Sequence, residues 1–281
     1  SDNYISINNA LNIPIKKNFG MRFSGSYNYS NGFRRNIHKN INNSNQKKEF
    51  LYRLKVKYDF NRINFLTTLI YANLDNGYDA WSPDNNSKYE TYTDDDGEDS
   101  QETIGGSIRM RIPIYENTLL TSITSLTETN LIHSYDGDWA NDNYWYEMHG
   151  FDSLVEGWSY KFFDSNLKNR KNIAQEIRLS VKDIILGIYF KRMRELDEAS
   201  GYLFGGLGTN ASSQFDFEVL SSYVQFDYQI ASKLKISTNF RIENNKIDYF
   251  GETSGLDEYW DVMALPIVDY SAEYLMTGYK G

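Results

Sequence analysis

The run Phe50-Leu51-Tyr52-Arg53-Leu54-Lys55-Val56-Lys57-Tyr58-Asp59 alternates with a period of two. Phe50, Tyr52, Leu54, Val56 and Tyr58 share one face; Leu51, Arg53, Lys55, Lys57 and Asp59 share the other. Successive side chains point to opposite sides only in a β-strand, so this spacing predicts a strand with one apolar and one charged face. The same reading recurs along the chain. Phe19, Met21, Phe23, Tyr27 and Tyr29 oppose Gly20, Arg22, Ser24, Ser26 and Asn28, and Ile104, Ile108, Met110 and Ile112 oppose Gly105, Ser107, Arg109 and Arg111. Later, Ile173, Ile177, Leu179 and Val181 oppose Glu176, Arg178 and Ser180. Val224, Phe226, Tyr228 and Ile230 oppose Gln225, Asp227 and Gln229, and Leu234, Ile236, Phe240 and Ile242 oppose Lys235, Asn239, Arg241 and Glu243. Runs 62–74, 117–130 and 184–192 alternate less cleanly but are rich in strand-favouring Thr, Ile, Leu and Tyr.

About eleven strands are expected, many of ten or more residues. That exceeds the roughly five or six residues usual in soluble sheets and matches a tilted strand crossing a bilayer. Five pairs meet at tight turns near Pro14–Lys17, Asn61, Tyr115–Asn117, Lys182–Asp183 and Ser232. Between the pairs lie long polar connections over 31–46, 75–100, 131–171, 196–215 and 248–266. Short turns on one side and long loops on the other are the pattern of an antiparallel up-and-down transmembrane β-barrel. A large soluble sandwich or propeller is the alternative, but no propeller-length repeat recurs. In a barrel, Arg22, Arg53, Lys55, Arg109, Arg111, Arg178 and Arg241 would line the lumen.

Bulk properties agree. The chain has 281 residues, no Cys, 16% aromatic residues, a net charge of −9 and a mean hydropathy of −0.60. No run reaches the ~18 apolar residues of a membrane helix, but alternating barrel strands keep mean hydropathy low. The acidic balance argues against a nucleic-acid partner, whose phosphates need clustered Lys and Arg. Absent Cys removes disulfides and thiolate metal sites. His38, His133 and His149 lack metal-ligand spacing, and no hydrolase, P-loop or zincin motif occurs. The expectation is no enzyme, no resident metal and no cofactor.

The connections are acidic, aromatic and rich in Asn. Asp94, Asp95, Asp96, Glu98 and Asp99 would suit a hard cation, but Tyr92 stands where an EF-hand needs its first Asp, so a solvated acidic loop is favoured. Amphipathic aromatics in long loops suit recognition. On that chemistry Tyr78, Trp81, Tyr135, Asp136, Asp138, Trp139 and Trp145 are the candidate ligand contacts, against the alternative that these loops pack on themselves.

Several runs together resemble the barrel of TonB-dependent outer-membrane receptors of the ferric-siderophore type. They are Asn76-Gly77-Tyr78-Asp79-Ala80-Trp81-Ser82-Pro83-Asp84-Asn85-Asn86, Asp99-Ser100-Gln101-Glu102-Thr103, Tyr135-Asp136-Gly137-Asp138-Trp139, Gln175-Glu176-Ile177-Arg178-Leu179 and the final Tyr274-Leu275-Met276-Thr277-Gly278-Tyr279-Lys280-Gly281. Each is weak alone; their order spans nearly the whole chain. The resemblance implies a parent barrel of about 22 strands closed by a plug, with residues 1–281 as its middle portion and the plug and C-terminal strands elsewhere. Ser1-Asp2-Asn3, without Met or leader, and an end inside a strand agree with a fragment. The resemblance further implies location in a Gram-negative outer membrane, contact with its lipid, and uptake of a ferric siderophore driven by the TonB complex through the missing N-terminal part. Iron would be present only as chelated cargo. Cobalamin, a glycan or a plant-derived aromatic as cargo, and a passive porin or adhesin barrel, are the other readings. Siderophore-binding residues vary within such families, so no contact is carried over.

Overall fold

A computed structural model describes residues 2–204, 207–232, 234–256 and 261–280. Residues 257–260 and the closing Gly281 of the aromatic-Lys-Gly step lie outside the described residues. The elements run β1 (Ile5–Lys16), β2 (Phe19–Ser30), β3 (Arg35–Asn36), β4 (Lys47–Phe60), β5 (Ile63–Gly77), β6 (Glu90–Thr91), β7 (Glu98–Tyr115), β8 (Thr118–Asp136), α1 (Asp142–His149), α2 (Ser153–Glu156), β9 (Phe163–Val181), β10 (Ile184–Leu203), β11 (Leu207–Ala231), β12 (Leu234–Leu256), β13 (Val262–Ala264) and β14 (Val268–Lys280). One 12-stranded antiparallel sheet holds all but β3 and β6, each long strand pairing with its sequence neighbour in up-and-down order. Setting aside the three-residue β13, it has the eleven long strands expected: five hairpins, β1–β2, β4–β5, β7–β8, β9–β10 and β11–β12, then β14. Among the described residues β1 and β14 each pair on one side only, so the sheet is an open part of a barrel.

The tight turns all fall at one end. Asn61, Asn117 and Lys182 take positive φ there (55°, 60° and 51°). Asn tolerates this left-handed region through its short polar side chain, whereas Lys does not. Lys182→Gly is therefore expected to stabilise the protein by about 1 kcal/mol, read from a urea titration. Register shifts at Pro14/Lys16, Pro113/Tyr115 and Gln229/Ala231 lie at the same rim, where bulges end pairing without disturbing the wall.

The cross-strand register decides the faces. Arg241 pairs Tyr223, which pairs Gly187, Arg178, Thr121, Arg111 and Asn64 in succession. Arg109 continues to Leu66, Lys57 and Gly20, and Lys55 lies opposite Arg22. All seven cations singled out above therefore share one face. On β11 and β12 that face is well shielded, with Val219, Ser221 and Asn245 5%, 1% and 2% exposed, whereas Arg22, Arg53, Arg109 and Arg111 on it are open to solvent. The opposite face bares its apolar side chains, with Ile188 56%, Leu220 55% and Ile242 56% exposed. Only Ala140, Tyr144 and Val219 are buried hydrophobics among the described residues. A water-soluble sheet of this size would hide its Ile, Leu and Phe; here they point outward, as lipid-facing side chains do.

The apolar outward stripe has a measured width. On β9 it runs from Val181 to Ile173, interrupted by Gln175, and ends at Lys171; on β10 from Ile184 to Phe190, ending at Arg192; on β11, interrupted by Ser222, it ends at Glu218, and on β12 at Asn244. Ile173 to Val181 is nine residues, the length of a tilted strand across a hydrocarbon core. Beyond this charged rim the strands continue. Segment 196–215 is accordingly not a long loop but the outer part of the β10–β11 hairpin. Its polar, Gly-containing composition suggests a connection, yet cross-strand pairs hold it as sheet: Lys168 to Asp197 at 2.9 Å, and Arg170 to Glu195. Strand likewise reaches Gly77, Asp136 and Leu256, shortening the other connections.

Candidate functional site: the loop face

Three connections gather at the end opposite the tight turns. In the first, β3 pairs in parallel with β6, joining segment 31–46 to segment 78–97. Asn36, fully buried, donates from Nδ2 to the Thr93 carbonyl (2.9 Å), Thr93 Oγ1 (2.7 Å) and Asp79 Oδ2 (3.3 Å). Thr91 Oγ1 donates to the same Asp79 oxygen at 2.6 Å. A buried polar knot of this kind holds backbone that has no ladder to satisfy it.

The third connection, 137–162, is anchored to the second by the Asp136 carboxylate, while Asp138 ties the third connection to itself. Asp136 Oδ2 accepts from the Asp94 and Asp95 amides at 3.0 and 3.3 Å, and Oδ1 accepts from the Trp139 amide at 2.8 Å. Asp138 accepts from the Ala140 and Phe162 amides at 2.9 and 3.1 Å. Asn141 caps α1 by accepting from the Tyr144 amide and reaches back to the Tyr92 carbonyl. Burial, followed by the charge of Asp138, pushes the Asp136 carboxyl up to about 8; burial also raises Asp138. Lys161 bridges Asp94 and Asp95 at 3.3 and 3.7 Å, and the Tyr202 hydroxyl donates to Asp95 from the tip of β10. Asp94, Asp95 and Asp136 bring carboxylate oxygens within 4.8 Å of one another. Asp136 is committed to three amides and the Lys161 ammonium already lies against the other two, so the trio works as a latch between loops. Asp96 turns away to Lys39 at 2.6 Å, and Glu98 and Asp99 belong to β7.

The aromatic candidates separate into three settings. Trp81 and Trp139 stack on each other, ring centroids 5.9 Å apart, and are 57% and 40% exposed. Tyr78 and Tyr135 flank His133 on the polar side of the sheet, at 4.8 Å and 5.9 Å. Trp145 lies inside a continuous aromatic cluster with His149 and Tyr160, extended through Trp158 to Phe204 at the β10–β11 tip. Asp136 and Asp138 are buried in the loop framework. Lower on the wall, the Tyr223 ring lies over Gly187, where a Cβ would come within 2.1 Å, and its hydroxyl reaches Glu176 at 2.6 Å; Glu176 also holds Arg178. Asn36, Asp79, Lys161 and Tyr202 escape a reading by sequence because their partners lie 12 to 107 residues away.

No family model matches this sequence, and no curated protein matches it. Solved structures do. The ferric yersiniabactin uptake receptor FyuA from Yersinia pestis superposes with a TM-score of 0.74 at 10% identity, over 98% of this chain and 42% of that one. The closed form of the ferric-catecholate import receptor Fiu from Escherichia coli K12 gives 0.60 at 13% identity, over 98% and 46%. The copper transporter OprC gives 0.58 at 10% identity, over 98% and 41%. The chain spans less than half the length of these receptors, and at such identities the likeness is one of fold. Up-and-down topology, apolar outward face and crowded loop end together make this chain an open twelve-stranded part of the barrel fold of TonB-dependent receptors.

Proposed function

We propose that this chain forms the middle wall and loop face of an outer-membrane receptor that imports a ferric siderophore, energised through TonB by a part of the protein outside this sequence. One observation carries the reading: the sheet leaves Ile104, Ile108, Ile188, Leu220 and Ile242 exposed on one face and gathers its cations on the other, the arrangement that suits lipid outside and a polar lumen within. The ferric-chelate receptors sharing the fold supply the cargo class. Residues 1–281 are then barrel throughout, with plug and closing strands contributed by the rest of the protein. The protein does no covalent chemistry and holds no resident metal; iron passes as cargo. Arg22, Arg53, Lys55, Arg109, Arg111, Arg178 and Arg241 line the lumen, where cations attract an anionic chelate. Tyr78 and Tyr135, with the exposed Trp81–Trp139 stack, offer flat amphipathic faces for its rim, while Asp136, Asp138 and Trp145 hold those faces in place.

The test is growth and radiolabelled ferric-siderophore uptake in a deletion strain under iron limitation; unchanged uptake sinks the iron reading. In the complemented strain, Trp81→Ala with Trp139→Ala is expected to weaken siderophore binding about tenfold or more, the loss typical of aromatic anchors, with the amount of receptor in the membrane unchanged.

A further inference from the structure

At the loop end of β1 and β2, beside the β3–β6 bridge, lies a pocket of about 470 Å³, within the roughly 300–1,000 Å³ of small-ligand sites. None of the candidate contacts of the loop face lines it. Phe33 and Tyr89 do, ring centroids 5.6 Å apart and planes at 88°, each more than half exposed. The Arg34 guanidinium lies over the Phe33 ring at 5.3 Å. Its Nε is buried and meets no hydrogen-bond partner, an unusual state for a charged donor. Arg35 donates from Nη2 only to the neutral Asn40 Oδ1, at 3.2 Å. Two guanidiniums therefore line the pocket against the single lining carboxylate of Asp2.

The pocket is held in shape from several sides. Gly32 takes φ 79°, and a Cβ there would come within 2.1 Å of the Asn45 carbonyl oxygen, so only glycine fits this turn. The Asn31 amide donates to the Asp2 carbonyl at 2.8 Å. Tyr89 takes φ 59°, a left-handed conformation that a bulky side chain keeps only where its surroundings impose it. Here the Arg35 amide donates to the Tyr89 carbonyl at 3.1 Å, and the next amide, that of Glu90, donates to Asn86 Oδ1 at 3.0 Å. Strained backbone of this kind gathers at ligand clamps.

The chemistry of the lining selects the ligand. Rings at right angles leave no parallel slot for a flat aromatic chelate; one face and one edge suit the C–H side of a puckered ring. Asn31 and Asn42 both donate and accept, and Asp2 accepts, the mixture that hydroxyl groups need. A chelate fringed with anionic oxygens would meet Asp2 as a like charge. Guanidiniums bind a carboxylate through paired N–H groups. We propose that this pocket binds an acidic saccharide, its carboxylate on Arg34 and Arg35, its hydroxyls on Asn31, Asn42 and Asp2, and its C–H face on Phe33 and Tyr89. The site gives the receptor a hold on acidic glycans separate from its cargo. The loop end faces the cell exterior in the membrane reading, and access of outside glycans rests on that reading.

The full-length receptor in detergent is first scored for heat-modifiable mobility, the mark of an intact barrel. Binding of sialyllactose and of a glucuronate disaccharide is then followed by saturation-transfer NMR. Lactose, the neutral sugar, and citrate, a carboxylate without a ring, are measured beside them. At least one acidic sugar is expected to bind about tenfold or more tighter than both, the worth of a charge-assisted pair; which one binds tells a sialylated source from a uronate-bearing one. Arg34→Gln should lose about tenfold or more of that binding. Tyr89→Gly removes the ring and relieves the left-handed backbone, so it should lose binding while keeping heat-modifiable mobility. Binding of neither acidic sugar, equal binding of lactose or citrate, or unchanged binding by both intact variants overturns the proposal. Ferric-siderophore uptake by Arg34→Gln should stay at the wild-type level; joint loss of uptake and sugar binding would make this a cargo site and overturn it too. Sugar binding is read in detergent, so its failure leaves the uptake reading standing, and failed uptake leaves the binding result standing.

Discussion

Arginine in place of Ile188 is expected to cost about 2–4 kcal/mol of folding stability in lipid, the depth-dependent cost of a cation on the outer face of a barrel strand. Ile188 sits mid-stripe on β10, between Leu186 and Phe190, 56% exposed and opposite Ile177 and Ser222. Its register partners Ile177 and Ser222 and its same-face neighbours Leu186 and Phe190 carry no carboxylate to pair with the new charge. On a water-facing sheet the same substitution at so open a position would change stability by only about 0.5 kcal/mol. The counterpart is Ser125→Arg on β8, whose register partners Ser107 and Ala174 place it on the polar face. Its cost is expected to stay below about 1 kcal/mol, since that face already carries Arg109, Arg111 and Arg178. Urea titrations of the full-length protein refolded into vesicles, followed by Trp fluorescence, decide the matter. Equal costs for the two variants would falsify the assignment of the faces.

The second large effect is expected at Asp136. Alanine there strands the amides of Asp95 and Trp139 and leaves that of Asp94 only the Ala140 carbonyl, and each buried donor left unpaired costs about 1–3 kcal/mol. The loop pair 78–97 and 137–162 should then open locally while the wall stays folded. Hydrogen exchange at those three amides is expected to accelerate about a hundredfold, equivalent to ~3 kcal/mol, with strand amides of β8 and β9 unaffected below the loop. The latch also responds to pH. Burial raises the Asp136 carboxyl from 3.8 to about 8, so the folded loops hold its proton more tightly than the unfolded chain does. That contribution is complete below about pH 4 and fades as pH rises through about 8. Opening should therefore become easier between those values once intrinsic exchange rates are corrected. Asp136→Asn, which keeps an acceptor and removes the charge, should flatten the dependence; an unaltered pH profile in that variant would show that another group controls the latch.

The wall was legible residue by residue. Phe50 through Asp59 needed only the two-residue period of an extended backbone to separate a lipid face from a lumen face, and the register later placed Arg53 and Lys55 beside Arg22 as that period requires. The turns were legible because Asn61 and Asn117 tolerate a positive φ at hairpin tips. Strand ends were not. Composition around 196–215 reads as loop, because what keeps it extended is Lys168 meeting Asp197 and Arg170 meeting Glu195 across the ladder, and no local window contains both partners.

The loop face divides the same way. Its aromatics and carboxylates are visible as residue types, and periodicity says which strand face they border. Whether a given Trp is offered to solvent or spent on packing depends on contacts made from far along the chain. Trp81 and Trp139 come together from 58 positions apart and stay exposed, whereas Trp145 disappears into a cluster reaching Phe204. Alternation is a local property of the backbone, so strand and face belong to the primary structure. Latch, aromatic stack and loop-end pocket depend on which strands and loops end up adjacent, and only the assembled sheet sets that.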